Sequence, residues 1–174
     1  MIIFTSMNKH IIWNAEDFLY LSKKLEFFDL NKYETSKTYR EELKKYESYR
    51  ELIDDKFYYH KKELFFSCIL KFLTKETDDF VFIQDLFEIC DNQTKLTNNF
   101  ESDITQIQNF SIDKKTIGFS SLINEIVDYS NNYRFIIYDL DEPTKLTKEE
   151  ELDEFQNSVK RIFLQLQEYS KTEH

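Results

Sequence analysis

Along most of the chain apolar residues recur at the three- and four-residue spacing of an amphipathic helix, and the pattern predicts a helical protein. Asn14 stands as an N-cap before Phe18, Leu21, Leu25 and Phe28, which share one face. Thr38 and Glu41 have the spacing of a capping box, in which each side chain takes up a free N–H near the other. The stripe behind them is Tyr39, Leu43, Tyr46 and Ile53. Residues 57–73 are apolar on several sides, with Phe65, Phe66, Cys68, Ile69, Phe72 and Leu73, the pattern of a central buried helix. Asp78 and Asp79 open a further helix, whose predicted main face carries Phe80, Ile83, Phe87 and Cys90, widened by Val81, Phe82 and Leu86. Residues 91–99, polar and rich in Asn and Thr, read as a loop. A short helix with Phe100, Ile104 and Ile107 follows, and Ser120 leads into another with Leu122, Ile123, Ile126 and Val127.

Residues 133–138, Tyr-Arg-Phe-Ile-Ile-Tyr, break this rhythm. They are β-branched and aromatic, lie between Asn131-Asn132 and Pro143, and read as a strand. Phe110 with Ile112, and Ile117 with Phe119, alternate weakly and offer it a partner. Thr147 and Glu150 then form a second capping box, ahead of Leu152, Phe155, Val159, Ile162, Leu166 and Tyr169 at helical spacing. The expected fold is mainly α: a single helical domain over residues 1–174, a multi-helix bundle with a minor two-stranded β element near residues 133–139.

Composition narrows the function. The 174 residues hold one glycine, Gly118, and one proline, Pro143. Loops that cradle phosphates need several glycines, because a Cβ keeps backbone N–H groups from crowding a phosphate. The dinucleotide fingerprint and the P-loop are therefore excluded. Cys68 and Cys90 sit in apolar stretches and read as buried, reduced thiols. The start at Met1 lacks a basic run before a long apolar one, and the longest apolar stretch, residues 64–70, is far short of the roughly 20 a membrane helix needs. The cytoplasm is the expected compartment, with no membrane partner.

The formal charge of -10 is unevenly spread. Residues 1–87 carry 14 basic and 16 acidic side chains, and residues 88–174 carry 9 and 17. Residues 139–154 alone hold eight acids, Asp139, Asp141, Glu142, Glu149, Glu150, Glu151, Asp153 and Glu154, against Lys145 and Lys148. One or two acids suit a helix start. Eight in so short a stretch cost self-repulsion, and a cationic partner is a reason to tolerate it. Lysines occur as isolated pairs offset by acids, so direct nucleic-acid binding is not expected. Tyrosines crowd the second and third helical stretches. They suit a half-buried core, and Tyr46 and Tyr49 also suit contact with a partner, because tyrosine buries much area at low entropy cost.

Catalytic chemistry has one candidate. The apolar residues 135–138 followed by Asp139-Leu140-Asp141 resemble the first motif of haloacid dehalogenase-type phosphotransferases. That resemblance implies Asp139 as nucleophile and Asp141 as general acid, with Mg²⁺ on the carboxylate. The chain departs from it at Glu142, where glycine is usual, and at Pro143, where Thr or Val is usual, and no series of βα units surrounds it. His60 and Glu63 lie one helical turn apart, but no third ligand has suggestive spacing. No enzyme activity, catalytic residue, metal or cofactor is expected.

In size, acidity and richness in Asn, Lys, Ile, Tyr and Phe the whole chain resembles small bacterial immunity proteins, including those of contact-dependent growth inhibition. The resemblance implies an inhibitor that binds a cognate toxin in the cytosol and covers its active site or another essential surface. A nuclease is the most plausible such partner, because cutting nucleic acid requires a cationic cleft. The alternatives are a nucleic-acid mimic or anti-defence protein filling a DNA- or RNA-binding groove, the phosphotransferase centred on Asp139 and Asp141, and a helical scaffold without a charged partner.

Overall fold

The computed structural model describes residues 12–139 and 146–171. Their elements are all helical: α1 (Ala15–Lys24), α2 (Leu30–Thr35), α3 (Lys37–His60), α4 (Lys62–Leu73), α5 (Asp79–Glu101), α6 (Ile104–Gln108), α7 (Phe119–Arg134) with a π-helical turn at Phe135–Asp139, α8 (Lys148–Leu166) and α9 (Glu168–Lys171). The mainly α expectation holds. The β element does not, because among the described residues there is no strand. Residues 133–138 instead end α7 and enter the π turn. Tyr133 points into the core from the last turn of α7, and Phe135 and Tyr138 are exposed, so helical packing overrides the local β preference.

Side chains placed where the sequence allows them close the helix starts. Asn14 caps α1, Asp29 caps α2, Asp78 caps α5, and Thr147 caps α8 with the full reciprocal box to Glu150. The predicted box at Thr38 and Glu41 is replaced by Ser36, whose hydroxyl accepts from Tyr39 N–H, two residues earlier than the spacing suggested. The run over residues 57–73 is two helices rather than one, because α3 ends at His60 and α4 starts at Lys62. The predicted loop over 91–99 is the C-terminal half of α5.

Two apolar clusters form the interior. One gathers α4, the first half of α5, α7 and α8, with Phe65, Ile69, Phe72, Leu86, Ile123 and Ile162 essentially inaccessible. The other gathers α1, most of α3 from Tyr39 to Ile53, the end of α5 and α6, around Phe18, Tyr49, Ile53 and Ile107. On α5 the face actually buried is Phe82, Ile83 and Leu86, while Phe80 points outward. α4 is less central than its composition suggests, since Leu64 and Leu70 are exposed. α3 and α5 are long enough, at about 1.5 Å per residue, to serve both clusters. Where they pass from one to the other they carry polar groups: Thr97 donates to Asp54 at 2.9 Å, and Asp55 accepts from Gly118 N, Ser120 N and Ser120 Oγ at 2.8, 2.8 and 2.6 Å.

Candidate partner-binding site

The acidic stretch is divided between a helix start and residues on either side. Asp141 and Glu142 lie outside the described residues, and Asp139 ends the π turn. Glu149, Glu150, Asp153 and Glu154 are exposed on the first two turns of α8. Glu150 has a structural task there. Its Oε2 accepts from Thr147 N at 2.7 Å and Thr147 Oγ1 at 2.9 Å, and these hydrogen bonds hold its carboxyl below the usual range. Glu151 is half-buried. Glu149, Asp153 and Glu154 have no hydrogen bond or ion pair among the described residues, and they form the available negative edge.

α8 is seated by Phe155, whose ring stacks on Tyr133 of α7 at 4.6 Å and packs beside Phe72 and Phe82. The Tyr133 hydroxyl donates to Asp79 Oδ2 at 2.9 Å, and the Tyr138 hydroxyl reaches the same oxygen at 3.2 Å. One carboxylate at the start of α5 thus ties down the end of α7 and the π turn, beside the start of α8. Burial pushes the Tyr133 hydroxyl well above the ordinary phenol value, helped by its bond to Asp79 and by the charges of Asp79 and Glu151. Burial and Asp79 raise Tyr138 as well, and the charge of Asp78 adds to it. Beside these groups Phe80 is exposed and meets Tyr138 edge-on at 6.3 Å.

The resulting surface sets the carboxylates of Asp78 and Asp79 beside an exposed aromatic pair, with Glu151 of α8 near enough for its charge to act on Tyr133. Residue spacing singled out its α8 half. Asp78, Asp79, Phe80, Tyr133 and Tyr138 were read only as a helix start, a core face and a strand. Residues 78–80 and residues 133 and 138 lie more than 50 positions apart in sequence, and only the packing of α5 against α7 joins the two groups.

The two tyrosines assigned to a partner do not join this surface. Tyr49 is 1% exposed, donates to Asp17 at 2.7 Å, and has its hydroxyl pushed up to about 12 by burial and that bond. It is a core residue. Tyr46 is half-buried and stacks on Phe18 at 5.6 Å, inside the same cluster. The phosphotransferase resemblance loses the strand that should present Asp139, since a π turn stands there. His60 and Glu63 fall on different helices. Both cysteines are free thiols, Cys68 buried and Cys90 partly so, and burial pushes each up to about 12. No helix among the described residues is long and apolar enough to cross a membrane. No family model, curated protein or solved structure matches the chain.

Proposed function

We propose that the chain is an inhibitory binding protein of the immunity type. Its acidic residues Glu149, Asp153 and Glu154 on the first turns of α8, together with Phe80 and Tyr138 beside Asp78 and Asp79, occupy the cationic cleft of a basic toxin, a nuclease above all. The observation that carries this reading is the exposed aromatic pair beside the carboxylates of Asp78 and Asp79. Charge alone brings a basic protein close and speeds encounter by about 10 to 10³. A tight complex also needs desolvated anchors, and the exposed Phe80 and Tyr138 next to acidic side chains supply them. Tyr133 bonds Asp79 at the start of α5 and stacks on Phe155 of α8, so the ground beside Phe80 and Tyr138 is built before binding.

The test uses the full chain as bait in a lysate of its native host, followed by kinetics with the purified partner. Glu149→Lys with Asp153→Lys and Glu154→Lys spares the cap and the half-buried Glu151. It should slow association at least tenfold and flatten its salt dependence. Phe80→Ala should leave the association rate alone and speed dissociation. The wild type should abolish the partner's nuclease activity at one-to-one stoichiometry. Unchanged rates in both variants, with circular dichroism unaltered, would remove this surface as the interface. Displacement from many unrelated basic proteins by any polyanion would point to a nucleic-acid mimic instead.

A further inference from the structure

A second surface stands apart from the acidic end and does not depend on its reading. At the corner between α1 and α2, Tyr20, Phe27, Phe28, Leu30 and Tyr33 are 57, 80, 59, 59 and 42% exposed. α2 buries no residue at all. A helix this short has no stability of its own in water. It is held by its Asp29 cap, by Asp29 N–H donating to the Tyr39 hydroxyl at 3.0 Å, and by Phe28 lying against Tyr33 and Tyr39 at 5.7 and 6.4 Å. The corner encloses a shallow recess of about 470 Å³ whose lining includes Lys23, Phe27, Phe28, Leu30 and Lys32. At roughly 200 Å² per large side chain, the exposed fractions sum to about 600 Å² of largely apolar surface. That is at the upper end for a monomer and marks an interaction site.

We propose that this corner is the two-fold contact of a homodimer. The charge at the corner identifies the occupant. Residues 20–35 carry three lysines and three acids, a zero balance in a chain of -10. Two copies of a chain this acidic repel each other on the whole, and at a balanced patch they meet at low Coulomb cost. A strongly charged partner of either sign gains nothing from a neutral patch. A two-fold contact must also be self-complementary. Lys24 and Lys32 are already paired with Glu42 and Asp29, whereas Lys23, Glu26 and Glu34 are exposed with no ion pair among the described residues. Lys23 of one copy therefore meets Glu26 or Glu34 of the other around an apolar centre. The area falls somewhat short of the roughly 800 Å² per partner of a standard interface, so the dimer should be of micromolar strength.

Sedimentation equilibrium of the full chain from about 1 to about 100 µM tests this. The wild-type mass should climb from 21.3 kDa toward twice that value. Phe27→Asp with Leu30→Asp, both exposed and so compatible with folding, should hold it at 21.3 kDa with an unaltered circular dichroism spectrum. Phe80→Asp, on the surface over the other core, should dimerise like the wild type. A wild type that stays monomeric at the highest concentration overturns the proposal. So does a double variant that associates as strongly as the wild type, or an equal loss caused by Phe80→Asp.

Discussion

Gly118 is the chain's one glycine, and it stands where its freedom is needed, at φ 87° ahead of α7. It has no side chain to cap α7, so Asp55 of α3 does so across the fold, accepting two N–H groups and the Ser120 hydroxyl. Burial pushes the Asp55 carboxyl up to about 6 against the pull of those three donors, with Glu51 adding to the rise. The folded state thus holds this proton more tightly than the unfolded chain, whose Asp titrates near 3.9. The stabilisation is full below about pH 4 and is lost as pH rises through about 6. Chemical denaturation of wild type and Asp55→Asn at pH 5 and pH 7 should show the wild-type advantage about 1.4 kcal/mol larger at pH 5. A constant difference would mean that Asp55 stays ionised throughout. With glycine so scarce, the end of α4 uses Lys75 at φ 63°, where Lys75 N and Glu76 N bond back to Phe72 O and Lys71 O in the manner of a glycine-terminated helix. Lys75→Gly should therefore stabilise the fold by about 0.5–1 kcal/mol, seen as a Tm raised by about 2–3 °C.

The best-defined element is α8, whose capping box and apolar stripe were readable directly from Thr147, Glu150, Phe155, Val159 and Ile162. Its seating against α7 depends on Tyr133. Tyr133→Phe keeps the stack on Phe155 and removes the bond to Asp79, at a cost of about 1–2 kcal/mol, measurable as a Tm lower by about 2–6 °C. An unchanged Tm would mean that Asp79 is satisfied by Tyr138 alone. Helix identity was legible wherever apolar spacing and a capping side chain agreed, as at Asn14 and Thr147. It was not legible over residues 91–99, because Gln93 and Thr97 look like loop residues yet are buried, and Thr97 is paired with Asp54 of a distant helix. The break at Lys61 carries no glycine or proline to announce it. Residues 133–138 were misread because β-branched and aromatic side chains pack equally well at a helix end when Tyr133 has a stacking partner on α8.

At the scale of the molecule, charge and apolar exposure are sorted by place. The excess acid stands over the start of α8, and the neutral aromatic corner lies between α1 and α2. Of the proposed partner surface the sequence revealed the carboxylates of α8, since charge is counted residue by residue, but not the part of Asp78 and Asp79 beside the aromatic pair. It did not reveal the Phe80 and Tyr138 pair, which only tertiary contact assembles, and of the two roles it offered Tyr49, core and partner contact, the structure shows the core, with its hydroxyl bonded to Asp17. The division of the interior into two apolar clusters, joined by α3 and α5 across a band of Asp54, Asp55 and Thr97, has a further consequence in time. Each cluster is a cooperative unit that can open while its neighbour stays shut. The smaller cluster, with the short α6 and the edge helix α1, should open first. In native-state hydrogen exchange the amides of α1 and α6 should then trade with solvent ahead of those in α4, α7 and α8, while α3 and α5 are divided along their length, protected at the ends nearer the larger cluster and labile at the others.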